Sequence, residues 1–330
     1  MRASRLTEVL NKLIRQEWAA FVWGPPGVGK SAIVREVAEA AGLPVVDLRA
    51  SLLDPTDLRG IPMVKGGEAV WCPPAFLPKK NAKPGILFLD EINAAPPLVQ
   101  AAMYQLVLDR RVGEYELPRG WKIIAAGNRA EDRAVTFRLS TALANRFIHL
   151  TLEPDAGCWA DWALTHGINP IVLGFIRYRP ELLYVKPEAV SQTAFATPRS
   201  WEMASDAIAA MGSVDAARDI LPGIVGEGPA AELIAFAKTS ASMKEINAAV
   251  SDPEHCAIPT KLDRLWALVS WFGTNAGTSS NVDRAISVLL GRLPPEFSVV
   301  LARDALKKNP RFIQNPGFLA FVKQHSGLIL

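Results

Sequence analysis

The sequence predicts a three-layer α/β protein, in which a parallel sheet lies between helices, followed by an entirely helical second half. As far as about Glu153, short apolar runs rich in Val, Ile and Phe alternate with helical patterns. Strands buried on both faces appear as continuous apolar runs, and parallel strands are joined by helical crossovers, so this alternation indicates a doubly covered parallel sheet. After Glu153 apolar residues recur every three or four positions, and no strand pattern follows.

Each element has its own local signal. Leu6, Leu10 and Leu13 recur at helical spacing and predict an opening amphipathic helix that ends near Trp18. The predicted strands, each buried on both faces, are 19–23, 44–48, 86–89, 121–126 and 147–152. Helical patterns lie between them, such as 31–41 and 97–108.

Pro and Gly clusters between the second and third strands predict an insertion at about 54–78. Its residues 54–71 contain two extended stretches on either side of Gly66-Gly67, which predicts a hairpin. The sequence is therefore divided into an α/β domain at 1–153, a helical domain at 154–250 and a helical extension at 251–330.

Composition limits the class of protein. The chain has 330 residues and a net charge of +3, which is too small to indicate a nucleic-acid partner by itself. Cys72, Cys158 and Cys256 are spaced too widely for a zinc site and predict reduced thiols. No apolar run is long enough to span a bilayer, and basic residues interrupt the first 18 positions. We therefore expect a cytoplasmic protein with no secretion signal and no membrane anchor.

The strongest motif directly follows the first strand. Gly24-Pro25-Pro26-Gly27-Val28-Gly29-Lys30-Ser31 fits the phosphate-loop pattern G-x-x-x-x-G-K-[ST] and directly precedes a helix. Glycines let the backbone wrap phosphate oxygens, Lys30 adds a charge near the β- and γ-phosphates, and Ser31 supplies a hydroxyl ligand for Mg²⁺. The alternative is a glycine-rich turn with a surface lysine.

A pair of acids ends the third strand. Asp90 and Glu91 follow an apolar run, and ligands of open parallel sheets bind beyond the carboxyl ends of the strands. Asp90 suits Mg²⁺, held through water, and Glu91 suits a general base for the attacking water. A solvated strand end is the alternative.

At this point the chain resembles the AAA+ ATPases, and within them the MoxR-type group that includes CbbQ-like motors. The motifs that carry the resemblance are Gly24–Ser31, Leu89-Asp90-Glu91-Ile92-Asn93, Gly127-Asn128, Leu143–Phe147 and Thr197-Pro198-Arg199-Ser200. The resemblance implies an AAA+ P-loop core of three αβα layers, an all-helical lid and a helical C-terminal extension of unknown role.

The resemblance also implies roles for three further residues. Asn128 matches sensor 1, which hydrogen-bonds the attacking water or the γ-phosphate; a turn asparagine is the alternative. Arg146 matches the arginine finger, which reaches into a neighbour's nucleotide site, and Arg199 matches sensor 2 on the lid. Surface arginines are the alternative for both, and the competitors of Arg146 are Arg129, Arg133 and Arg138.

The hairpin insertion resembles an insert that in this family projects toward a central pore. Met63, Val64 and Trp71 are then candidates for gripping a substrate, with simple packing as the alternative.

The resemblance implies an ATP- and Mg²⁺-dependent ATPase that works as a homo-oligomeric, six-membered ring. It also implies a partner with a von Willebrand factor A domain and a protein client that is remodelled or activated. The alternative function is a nucleic-acid motor of the clamp-loader, helicase or restriction type, against which the near-neutral charge argues. A non-hydrolysing nucleotide-gated scaffold is a third possibility, disfavoured by the intact Asp90, Glu91, Asn128 and Arg146.

Overall fold

The computed structural model describes residues 1–132, 137–186, 193–239 and 243–324. The chain forms two compact units, 1–154 and 155–330. The first unit contains every strand of the described residues. They are β1 Ala19–Trp23, β2 Val45–Arg49, β3 Ile61–Lys65, β4 Glu68–Cys72, β5 Ile86–Asp90, β6 Arg111–Val112, β7 Tyr115–Glu116, β8 Lys122–Gly127 and β9 Phe147–Thr151.

Five of these strands form one parallel sheet in the order β2-β5-β8-β1-β9. The helices of this unit are α1 Ala3–Leu13, α2 Lys30–Ala40, α3 Pro55–Arg59, α4 Pro97–Asp109 and α5 Thr141–Ala144. Short 3₁₀ turns cover Ala50–Leu52, Ile92–Ala94 and Ala130–Asp132.

Alternate strand residues enter two separate cores, one on each face of the sheet. Ala20, Val22 and Phe88 pack with residues of α1 and α2 on one face. Phe21 and Leu89 pack with residues of α4 on the other face. Because side chains alternate across a strand, burial on both faces requires helices on both sides. The three layers are therefore those that the sequence predicts.

Two local expectations are wrong. The first helix ends at Leu13 and not near Trp18, because residues 15–18 are exposed and no apolar side chain there stabilises another helical turn. The edge strands β2 and β9 carry partly exposed residues, whereas β1 and β5 are almost fully buried. An edge strand has a neighbour on one side only, so the helices cover it less completely.

The predicted hairpin is confirmed. Strands β3 and β4 pair antiparallel, with Lys65 opposite Glu68 across Gly66-Gly67. Gly60 enters the hairpin at a φ of 86°, and a β-carbon there would lie only 1.9 Å from the Cys72 carbonyl oxygen. Only glycine permits this close approach of the two strands.

Within the described residues of the second unit, every regular element is a helix or a 3₁₀ turn. Its helices are α6 Ala156–Thr165, α7 Pro170–Tyr178, α8 Pro198–Met211, α9 Val214–Ala217, α10 Leu221–Val225, α11 Glu227–Thr239, α12 Met243–Ser251, α13 Leu262–Asn275, α14 Ser280–Leu289, α15 Pro295–Lys308 and α16 Pro316–Gln324, with 3₁₀ turns at Pro180–Leu183 and Pro310–Gln314. One apolar core joins residues on both sides of position 251. The division into a lid at 154–250 and an extension at 251–330 stays a prediction.

A buried ion pair lies inside this helical core. Arg177 of α7 places Nη1 2.7 Å from Asp304 Oδ2 of α15 and donates a hydrogen bond to Ser270 Oγ at 3.2 Å. Burial raises the pKa of the Asp304 carboxyl, and the nearby Arg177 charge lowers it in part. The Arg177 charge therefore offsets part of the cost of burying the Asp304 carboxylate.

We expect Asp304→Asn to destabilise the protein by about 3–5 kcal/mol, because it leaves Arg177 buried without a counter-charge. The double variant Arg177→Met/Asp304→Leu is expected to recover most of that loss, since it removes both charges. Urea unfolding followed by circular dichroism measures both. Asp252→Asn, which alters an exposed pair with His255, is the control and should leave the free energy of unfolding nearly unchanged. A double variant as unstable as Asp304→Asn would contradict this account.

Among the described residues, no helix combines the length and the apolar character that crossing a membrane requires.

Candidate nucleotide-binding site

The loop between β1 and α2 has the backbone of an anion cradle. Gly27 and Gly29 take left-handed conformations with φ of 74° and 100°, and a β-carbon at Gly29 would meet nothing within 4 Å. Gly24 lies so close to the neighbouring chain segment that a β-carbon there would be 2.8 Å from the Leu152 carbonyl oxygen. No side chain caps the start of α2. The first amides of a helix lack acceptors within it, so they remain available to an anion.

Lys30 is buried within this loop. Its ammonium group donates to the carbonyl oxygens of Gly24 at 2.7 Å and Pro25 at 3.0 Å, and to Asn128 Oδ1 at 2.8 Å. A lysine that is 9% exposed thus places its charge among oxygen acceptors, next to the open space over Gly29. This placement suits a lysine that meets phosphate oxygens as a point charge.

Ser31 and Asp90 come together as the metal prediction requires. Ser31 Oγ donates to Asp90 Oδ2 at 2.9 Å, although the two residues are 59 positions apart. Parallel strands bring their carboxyl ends to one edge of the sheet, so the start of α2, which follows β1, meets the last residue of β5. A hydroxyl and a carboxylate are hard oxygen ligands, which suits Mg²⁺.

Glu91 adopts an unusual backbone conformation directly after β5. Its φ of 55° and ψ of 32° are left-handed, which is costly for a residue with a side chain. Its amide donates to Asp90 Oδ1 at 3.0 Å, and its carboxylate accepts a 2.6 Å hydrogen bond from Ser51 Oγ. The two acids therefore point to different partners, consistent with separate roles.

Ser51 carries no sequence signal of its own. It follows β2, and strand order places β2 beside β5. A serine after a strand is too common to stand out, and only the adjacency of β2 and β5 distinguishes it. The side chain holds the carboxylate that is predicted to act as general base.

We expect Ser51→Ala to raise basal ATP turnover by about fivefold, which corresponds to losing one hydrogen bond of about 1 kcal/mol that Glu91 must break before it activates water. The affinity for ATP should not change, because Ser51 contacts Glu91 and not the phosphate loop. Steady-state turnover and equilibrium nucleotide binding measure the two quantities. Unchanged or lower turnover in the folded variant would show that the contact does not restrain Glu91.

Asn128 and Asn93 are joined at the end of β8. Asn93 is buried, and its Nδ2 donates to the Asn128 carbonyl oxygen at 2.6 Å. A β-carbon at Gly127 would lie 2.2 Å from Asn93 Oδ1, so the preceding glycine is needed for this contact. The Asn128 side chain is thereby presented to Lys30. The structure places Asn128 at the phosphate loop, and its role as sensor 1 stays a prediction.

Arg146 lies at the opposite edge of the sheet. It directly precedes β9, whereas the phosphate loop directly follows β1, and the two strands run parallel. A five-residue strand is about 15 Å long, so Arg146 is roughly a strand length from its own loop. Its exposed side chain lines a cavity of about 500 Å³ with Glu17, Trp18 and Arg110. Arg146 is therefore not placed to serve the site of its own chain.

The competing arginines differ in their surroundings. Arg129 is held by Asp132 through two side-chain hydrogen bonds of 3.1 and 3.0 Å, and this contact raises the pKa of its guanidinium. Arg138 is exposed. Arg133 lies outside the described residues. Arg129 is thus committed to a partner within its own loop.

Arg199 lies where the sequence predicts, in the first turn of a helix. Thr197 caps α8, its hydroxyl accepting from the Ser200 amide while Ser200 Oγ accepts from the Thr197 amide. The Arg199 side chain is exposed. Its assignment as sensor 2 stays a prediction.

The hairpin β3–β4 presents apolar side chains to solvent. Val64 is 83% exposed, Met63 53% and Ile61 71%. Trp71 is instead covered by Arg59, whose guanidinium carbon lies 4.7 Å from the ring centroid. Packing therefore does not account for Met63 and Val64, whereas Trp71 is partly engaged.

Comparison with known proteins agrees with this architecture. Residues 19–147, less than half of the chain, match the family model described as AAA domain (dynein-related subfamily). Among curated proteins, none matches this sequence.

Similar solved structures include NtrX from Brucella abortus, with 16% identity over 98% of this chain and 67% of that chain, at a TM-score of 0.39. The structure of NtrX in complex with ATP is 14% identical, covering 99% of this chain and 68% of that chain, at a TM-score of 0.40. A point mutant of RuvB from Thermotoga maritima is 15% identical, covering 98% of this chain and 86% of that chain, at a TM-score of 0.36.

The family match, the parallel sheet and the phosphate loop together confirm the predicted fold class, an AAA+ P-loop core with a helical C-terminal region. The family match also supports an AAA+ ATPase. It does not extend to the MoxR-type group, which stays a prediction.

Proposed function

We propose that this chain hydrolyses ATP in a ring of its own copies and uses the energy to remodel or activate a client protein. The observation that carries the proposal is the convergence of Lys30, Ser31, Asp90, Glu91 and Asn128 on one edge of the sheet, around a loop whose glycines leave room for phosphate. The match of residues 19–147 to an AAA domain supports the same conclusion.

We assign a separate role in ATP hydrolysis to each residue at this edge of the sheet. The amides that start α2 and the Lys30 ammonium bind the phosphates of ATP. Ser31 and, through water, Asp90 would hold Mg²⁺, which would neutralise charge on the phosphate oxygens. Glu91 accepts a proton from the attacking water after its carboxylate leaves Ser51, and Asn128 orients that water or the γ-phosphate.

Arg146 completes the site of the next subunit. Its position at the far edge of the sheet, with an exposed side chain, suits a finger that neutralises charge on a neighbour's transferred phosphoryl group. A head-to-tail contact of this kind closes into a ring, and we propose six members. We propose Arg199, in the first turn of α8, as sensor 2.

We further propose a MoxR-type motor that acts in the cytoplasm with a von Willebrand factor A domain partner. The exposed Met63 and Val64 on the β3–β4 hairpin support a protein client, because apolar side chains on a projecting hairpin can grip an unfolded segment.

Dependence of activity on protein concentration tests the ring. Turnover per subunit should rise with concentration in step with assembly, measured by analytical ultracentrifugation with ATP present, because a lone subunit has no finger. Constant turnover per subunit across the dissociation range would contradict a shared site.

Trapping tests the class of client. Glu91→Gln protein loaded with ATP should retain a protein client and the partner with the von Willebrand factor A domain, and Met63→Ser/Val64→Ser should lose the client. Turnover should respond to protein and not to DNA or RNA. Stimulation by nucleic acid with steep salt dependence would instead identify the alternative, a nucleic-acid motor.

A further inference from the structure

An aromatic and imidazole cluster spans the sheet between the phosphate loop and the Arg146 turn. Trp23, the last residue of β1, stacks on the fully buried Phe21 with ring centroids 4.1 Å apart. His149 of β9 lies nearly parallel to Trp23 at 6.0 Å. All three side chains project from the same face, because Phe21 is paired with His149 and strand residues alternate.

Two hydrogen bonds fix the protons on His149. Trp23 Nε1 donates to His149 Nδ1 at 2.8 Å, and His149 Nε2 lies 2.8 Å from the Ala144 carbonyl oxygen. An indole nitrogen can only donate, so Nδ1 must accept and Nε2 must carry the proton and donate. The neutral ring thus bridges one donor and one acceptor with no alternative arrangement.

The Ala144 carbonyl oxygen, which accepts from His149, lies on the same short segment as Arg146. Ala144 ends α5, whose last carbonyls have no donor within the helix, and Arg146 is two residues further on. Leu143 is fully buried and its carbonyl accepts from the Arg146 amide at 3.1 Å. With the His149 contact, the end of this short helix is held at two consecutive carbonyls.

We propose that His149 is a positioning residue for the arginine finger, tying the helix end that carries Arg146 to Trp23 on the central strand β1. The proposal rests on the proposed function, in which Arg146 acts on the neighbouring subunit. Trp23 is the partly exposed last residue of β1, but it stacks on the fully buried Phe21, and β1 pairs with β8 on one side and β9 on the other. Trp23 therefore provides a fixed anchor. His149 ties the last carbonyl of the four-residue helix α5 to that anchor.

Mixed rings separate finger donation from hydrolysis. Glu91→Gln subunits can donate a finger but cannot hydrolyse, and Arg146→Ala subunits can hydrolyse but cannot donate. Adding His149→Phe to the Glu91→Gln subunit should lower the activity of the mixture about threefold to tenfold, the effect of a lost hydrogen bond. Adding His149→Phe to the Arg146→Ala subunit should leave the activity of the mixture within about twofold of its unmodified value, because that subunit's finger is already absent.

Conservative replacement gives a second readout. His149→Gln in the Glu91→Gln subunit should recover about half or more of the activity, since an amide can accept from Trp23 and donate to Ala144. If His149→Phe does not fold, as judged by circular dichroism, Trp23→Phe takes its place in both arrangements. It keeps a ring on Phe21 and removes the Nε1 donor together with part of the indole.

The results of the mixed-ring experiment support or overturn the positioning role of His149. Equal loss in both arrangements indicates a general structural role and overturns the proposal, as does no loss in either. An inactive mixture without any His149 change, when subunits demonstrably exchange, overturns the trans finger itself. Loss confined to the finger-donating subunit supports His149 as a positioning residue.

Discussion

Lys30→Ala is expected to weaken ATP binding about tenfold to a hundredfold, the loss of a charge-assisted contact, whereas Glu91→Gln retains ATP binding and loses turnover about a hundredfold or more. Lys30 lies within the phosphate loop, so its removal acts on the bound nucleotide. Glu91 lies after β5 with its carboxylate on Ser51, and its replacement removes only the base. Equilibrium binding of ATP and steady-state turnover measure the two effects.

The exposed pair of Lys12 and Glu8 on α1 offers matched controls. Lys12→Ala and Glu8→Gln make the same chemical changes on the surface, and both should leave ATP binding and turnover at wild-type levels. Equal loss of ATP binding in Lys30→Ala and Glu91→Gln would contradict the separation of roles between the loop and the acid.

Arg146→Ala should bind ATP normally and lose turnover by about 10³-fold or more, since arginine fingers contribute about 10³ to 10⁵ to the rate of phosphoryl transfer. Its own loop and the Asp90–Glu91 pair remain whole, but every site lacks the neighbour's charge. Arg284→Ala, which removes another exposed arginine, is the control and should retain full activity.

Normal turnover by Arg146→Ala would mean that another arginine is the finger. Arg138 is then the first residue to test because it is exposed, and Arg133 the second. Arg129 is disfavoured by its bonds to Asp132.

The sequence predicts features that depend on consecutive residues. The phosphate loop is recognisable because its glycines and lysine occur in one run between a strand and a helix. Five strands and the hairpin turn at Gly66-Gly67 follow from local apolar runs and turn residues. The left-handed Glu91 and the early end of α1 do not, because each depends on what the neighbouring segments bury.

The site residues that the sequence does not reveal are those brought together by contacts between distant segments. Ser51 and Glu91 meet only because β2 and β5 are neighbours. Trp23 and His149 are separated by 126 positions and meet through the pairing of β1 with β9. Strand order is not written in any local pattern, so the sequence does not distinguish these residues from ordinary strand residues.

The most direct test of the shared site mixes the two inactive subunits. Arg146→Ala and Glu91→Gln proteins are each expected to be nearly inactive. In a randomly mixed ring, about a quarter of the interfaces pair an intact Glu91 site with an intact Arg146 finger. Turnover should therefore rise toward about a quarter of the wild-type rate at equal proportions, if the sites act independently. A mixture that stays inactive while fluorescence energy transfer shows subunit exchange would contradict the account.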